Sequence, residues 1–129
     1  MRQGVRVKTI RVIQFVLVCG LIACGAKSAT SPTSTPGNTL TITSAGMSPK
    51  NLQIAIGTRV LFVNNDSRSH SMTSDPHPEH TDCPELNQVG FLTAGQSRES
   101  GNLVIARSCG YHDHDNPAST TLQGTVTIK

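Results

Sequence analysis

The sequence predicts an all-β domain of the antiparallel sandwich class, and three observations carry the prediction. Short stretches such as Thr39-Leu40-Thr41-Ile42-Thr43 and residues 123–129 alternate polar and apolar with period two, the mark of strands buried on one face. Turn signals separate six to eight such stretches, and none repeats hydrophobics at helical spacing over three turns. With no Trp, one Tyr (Tyr111) and only Phe62 and Phe91 beyond the amino-terminal segment, the core must rest on Val, Ile and Leu, which suit packed sheets.

At 129 residues the chain has room for one domain, expected over residues 39–129 after two segments are set aside. Residues 1–23 read as a secretory leader. Arg2, Arg6, Lys8 and Arg11 precede an apolar run of twelve, Val12 to Ala23, which is too short for the roughly 20 residues of a membrane span. The run ends in Leu21-Ile22-Ala23-Cys24, which resembles the bacterial lipobox, and that resemblance implies acylation of Cys24 and a lipid anchor. No Asp follows Cys24, so by analogy the outer membrane or cell surface is favoured over the inner membrane. Residues 24–38, rich in Ser, Thr and Pro, bury too little apolar surface to order themselves and read as a tether.

Within the domain, Pro49 confines the stretch around Met47 to an edge or a bulge before Leu52 and Ile54 alternate again. Gly57 turns the chain, and Arg59-Val60-Leu61-Phe62-Val63-Asn64 reads as a strand central to a sheet. Asn64 to Ser69 is turn chemistry, and His70-Ser71-Met72-Thr73 resumes an extended course. Residues 74–89 form a long irregular stretch with Pro76, Pro78 and Pro84, and loops of that length in small domains are functional or disordered. A glycine turn follows Phe91 and Leu92, Leu103-Val104-Ile105-Ala106-Arg107 reads as another strand, and residues 123–129 close the chain.

The formal charge of +3 misleads, because four of the eleven basic residues lie in the leader. Beyond residue 24 seven basic and eight acidic residues remain, a net of −1, with no basic patch or aromatic platform for nucleic acid. No nucleophile turn or glycine-rich phosphate loop is present, so an enzyme is a poor fit.

The chemistry gathers in two windows that hold all five histidines, residues 70–80 and 112–114. Ser108-Cys109-Gly110-Tyr111-His112-Asp113-His114, read as a loop, offers a thiolate and an imidazole three positions apart, and His70 supplies a second imidazole from elsewhere. Asp75-Pro76-His77-Pro78-Glu79-His80-Thr81-Asp82-Cys83 reads as a polar surface loop, as a wall of that site, or as a second metal site.

Taken in order, four pieces resemble the cupredoxins, the plastocyanin and azurin class of small blue-copper proteins. They are the Gly57 turn with its following strand, Asp66 to His70, Leu92 to Ser97, and Cys109-Gly110-Tyr111-His112 ahead of Leu122 to Ile128. The resemblance implies a Greek-key β-sandwich in which His70, Cys109 and His112 hold one copper ion, with His114 as an alternative to His112. Departures accompany it. Leu122 stands where the family often places an axial methionine, which implies a raised potential. Cys83 and Cys109 are the only thiols left in an exported domain and are equally readable as a disulfide, which would remove the thiolate. The functional expectation is therefore a monomeric electron carrier, not an enzyme, serving an exported redox protein or taking copper from a donor in the periplasm. Its alternatives are a metal-binding or trafficking module and a metal-free domain stapled by Cys83 and Cys109.

Overall fold

A computed structural model describes residues 37–129; the leader, Cys24 and the tether up to residue 36 lie outside the described residues. Among the described residues nine short strands run in chain order as β1 (Thr39–Thr43), β2 (Gly46–Ser48), β3 (Asn51–Ile54), β4 (Leu61–Asn64), β5 (His70–Ser74), β6 (Gly90–Leu92), β7 (Ser97–Glu99), β8 (Arg107–Asp113) and β9 (Gly124–Ile128). They form a four-stranded sheet in the order β2-β1-β4-β7 and a five-stranded sheet in the order β3-β9-β8-β5-β6.

The all-β sandwich is as expected, and β4 lies inside its sheet between β1 and β7. Pairing is not uniformly antiparallel, since β1 runs parallel to β4 and β3 parallel to β9. The alternation of Leu40 and Ile42, of Leu52 and Ile54, and of Val126 and Ile128 turns one face of each strand into the interior, where all six are buried. Across the two sheets the Phe62 and Tyr111 rings meet edge to face, with centroids 5.7 Å apart. The Tyr111 hydroxyl donates to the Lys50 carbonyl at 2.9 Å. A Cβ at residue 124 would collide with both groups, so Gly124 lets β9 pass close to them.

Three local readings are corrected. The strand expected over residues 103–107 does not form, and only Arg107 is extended, as the first residue of β8: Leu103 is buried and makes one bridge to Thr58, while Val104 and Ile105 are more than half exposed. Apolar character there has no sheet to enter. The polar stretch Ser97–Glu99 pairs with β4 as an edge strand, and its lack of apolar alternation concealed it. The third correction governs the site, because Cys109 and His112 belong not to a loop but to the seven-residue strand β8.

Candidate metal centre

In an extended strand successive side chains point to opposite faces, so positions three apart cannot share one. In β8, Cys109, Tyr111 and Asp113 face the interior, while Gly110 and His112 face outward, followed by His114 just past the strand. The neighbouring ladder agrees. Thr73 is directly opposite His112, whereas Met72, on the same face of β5 as His70, is opposite Asp113. His70 and His112 therefore lie on opposite sides of one sheet.

On the inner face each member of the expected copper set has another partner. Cys109 is bonded to Cys83, with Cα atoms 5.8 Å apart and both residues fully buried. The disulfide alternative is the one realised, and no thiolate is available. His70 is 2% exposed and sits between two carboxylates, with Nδ1 2.9 Å from Asp113 Oδ2 and Nε2 3.1 Å from Asp66 Oδ2. Asp66 also accepts from Arg68 at 2.9 Å and from the Ser67 N–H at 2.7 Å, and Asp113 Oδ1 accepts the Ser71 N–H at 2.9 Å. Arg68, Asp66, His70 and Asp113 thus form one continuous hydrogen-bonded chain. Leu122 is buried in a short 3-10 turn, and without a thiolate the question of an axial ligand lapses. A copper ion held by His70, Cys109 and His112 does not fit these residues.

Burial raises the Asp66 carboxyl, but hydrogen bonds from Arg68, His70 and the Ser67 N–H, with the Arg68 charge, outweigh it and hold it at about 2, against an ordinary value of 3.8. The folded group is therefore the stronger acid. Its contribution to stability is complete above the unfolded value and disappears as pH falls through that value toward the folded one. Urea midpoints measured from about pH 5 down to about pH 2 should fall, and less steeply in Asp66→Asn.

The outer face of β8 carries a different constellation. Residues 75–82, read from the sequence as an irregular loop, leave β5 and fold back over the strand. The Asp75 N–H continues the ladder to the Gly110 carbonyl at 3.0 Å, and the Asp82 N–H closes the loop onto the Asp75 carbonyl at 2.9 Å. A side chain at residue 110 would meet the Asp75 carboxylate, so glycine permits this close approach. Asn87 secures the fold, receiving the Ser74 N–H at 2.8 Å and donating to the His80 carbonyl at 2.8 Å.

The loop brings His77 and His80 against His112 and His114, and one ring nitrogen of each lies within 4.8 Å of the others. His112 is buried, His80 partly so, and His77 and His114 are exposed. Nδ1 of His112 is 2.6 Å from Asp75 Oδ1, a carboxylate that orients the ring and leaves Nε2 for a ligand. That Nε2 has only a long contact to Thr73 Oγ1, at 3.4 Å. His114 Nδ1 stands 3.2 Å from His80 Nε2, so His114 pairs with another imidazole and not with an aspartate. His80 adopts φ 53, a left-handed conformation unusual for a side chain with a Cβ, and such outliers collect where function constrains the backbone. Burial, then the neighbouring His112, His114 and His77, lower its pKa and favour the neutral ring that a metal needs.

The histidines considered as alternatives, His77, His80 and His114, are thus brought together with His112, and the structure leaves out His70, Cys109 and Cys83. The supporting residues Asp75, Asn87, Asp66 and Asp113 escaped the sequence reading. The spacing of His112 and His114 by two, on a recognised strand, would have signalled a shared face.

No protein-family model matches the chain, and no curated protein matches it. Solved structures do. A purple cupredoxin from Nitrosopumilus maritimus aligns over 70% of this chain and 98% of its own, with 22% identity and a TM-score of 0.55. Oxidised plastocyanin from Dryopteris crassirhizoma aligns over 70% of this chain and 99% of its own, with 15% identity and a TM-score of 0.55. A reduced amicyanin variant aligns over 75% of this chain and 87% of its own, with 16% identity and a TM-score of 0.56. At these identities the likeness is one of fold: the two packed sheets have a cupredoxin-like fold.

Proposed function

We propose that this domain is a non-catalytic metal-binding or trafficking module that holds one Cu(II) ion through His77, His80, His112 and His114. The observation that carries the reading is the convergence of four imidazoles on the outer face of β8 while the single nearby sulfur pair is spent in a disulfide. Imidazoles without a thiolate suit Cu(II) and Zn over soft Cu(I), and copper leads that pair in intrinsic affinity. The four ring nitrogens, within 4.8 Å of one another, would have to draw somewhat closer to share one ion. The exposed rings of His77 and His114 have the freedom to close in.

Export belongs to the same reading. A buried disulfide persists in oxidising compartments, which agrees with the leader-like residues 1–23 and lipid attachment at Cys24. The described chain enters beside Leu61, at the end of the sandwich where β8 begins, and His112 and His114 lie toward its finish. A tether at that entry would hold the metal face away from the lipid, open to a copper donor or acceptor.

Titrating the oxidised protein with Cu(II) tests the proposal. One equivalent should bind with weak visible absorption and a type-2 electron paramagnetic resonance spectrum. An intense blue sulfur-to-copper band, or no saturable binding, would defeat it. Electron carriage to an exported redox protein is a second reading, favoured by the likeness in fold to plastocyanin and amicyanin, solved in oxidised and reduced states. A reversible copper couple in voltammetry separates that reading from the first.

A further inference from the structure

The residues that would hold the metal come on two arms, and each arm also carries one half of the disulfide. On one arm His77, His80 and Cys83 are spaced by three; on the other Cys109 stands three before His112, with His114 two beyond. We propose that the Cys83–Cys109 disulfide and the four-histidine site are one linked unit, in which the oxidised pair keeps the loop in its ligating position and reduction releases the metal. The inference rests on the reading of the four histidines as a metal site.

The two arms are held unequally. His112 is part of β8, which is laddered on both sides, to β5 and to β9, and the His114 N–H extends the contact with β5 to the Ser71 carbonyl at 2.7 Å. His77 and His80 have no ladder. Between Asp75 and Cys83 the backbone is fastened by the His80 N–H to the Pro76 carbonyl at 2.7 Å, the closing Asp82 bond, and Asn87. Past the disulfide the chain is pinned again, where Glu85 pairs with Arg107 and its carbonyl accepts the Gly101 N–H at 2.7 Å. Among the described residues the disulfide is thus the one covalent cross-link between the loop and β8, which carries His112 and leads directly into His114.

His80 makes the link sensitive. Its left-handed backbone is a conformation that persists only while its surroundings over-determine it. Releasing Cys83 removes a constraint three residues away and lets His80 relax to an ordinary conformation with its ring elsewhere. The effect must run in both directions, because coupling between two sites is reciprocal. A metal gripping both arms resists the local opening that a reductant needs to reach two fully buried sulfurs.

The redox step is ordinary thiol–disulfide exchange with a dithiol protein as co-reactant. Its thiolate attacks one sulfur of the pair, forming a mixed disulfide and expelling the other cysteine as a thiolate. Its second thiol then displaces the bound cysteine, so that Cys83 and Cys109 gain two electrons and two protons and the partner becomes the disulfide.

Zn(II) is the suitable probe, since Cu(II) would itself oxidise the thiols, and a phosphine is the suitable reductant, since dithiols chelate zinc. The Cys83→Ala/Cys109→Ala variant, checked for its β-sheet circular dichroism, should bind Zn(II) about tenfold or more weakly than the oxidised protein, within the usual range of coupling between sites. In the unaltered protein, saturating Zn(II) should slow phosphine reduction of the disulfide severalfold, and His77→Ala/His80→Ala should abolish that protection. The second comparison holds even if the double alanine variant fails to fold. Zinc that leaves the reduction rate unchanged, or tighter binding after reduction, would overturn the linkage while sparing the site. Absence of Zn(II) and Cu(II) binding by the oxidised protein would instead remove the site, and the linkage with it.

Discussion

His112→Ala should weaken Cu(II) binding by more than about a hundredfold, beyond the 10–100-fold cost typical of losing a group that only orients a ligand. The expectation follows from its position. Of the four imidazoles it is the one buried and braced by a carboxylate, so its loss leaves three rings of which two are exposed. Asp75→Ala, which removes that brace, should cost about tenfold with the donor set intact. Isothermal titration of the oxidised protein measures both. Equal affinities in His112→Ala and the unaltered protein would place the ion elsewhere.

His70→Ala should do the reverse, destabilising the fold by about 3–5 kcal/mol while leaving Cu(II) affinity within about twofold. His70 and Asp113 are both buried, and removing the imidazole strands an acceptor that no water readily reaches. The substitution also leaves a cavity, which adds to the loss. Chemical denaturation gives the stability, and the same titration gives the affinity. A stable variant that has lost copper would return His70 to the ligand set.

These two substitutions separate the inner face of the sheet from the outer, and that separation is where the sequence reading and the structure part. The sandwich was legible because burial on one face imposes period two, and Leu40 with Ile42 or Val126 with Ile128 display it without any tertiary knowledge. Strand β7 was hidden because an edge strand with polar side chains leaves no such trace. Residues 103–107 misled for the opposite reason, since apolar composition does not say whether a partner strand is present.

The candidate site was legible as a list of residues but not as an arrangement. Two histidine windows and a pair of cysteines were visible along the chain, and the resemblance of four ordered segments to cupredoxins pointed to the fold that the protein adopts. The same resemblance grouped His112 with His70 and Cys109, which the structure does not bring together. It treated the Cys109 region as a loop, in which side chains three apart can converge, whereas two ladder partners hold it extended and send them to opposite faces.

From composition and local pattern alone came an all-β domain, its core residues and a supply of imidazole and sulfur, because these depend on near neighbours in the chain. Which imidazoles meet, and that the sulfurs bond to each other, was decided only when residues 26 positions apart, Cys83 and Cys109, were packed side by side. Loop closure over such distances depends on the whole fold, and no local periodicity records it.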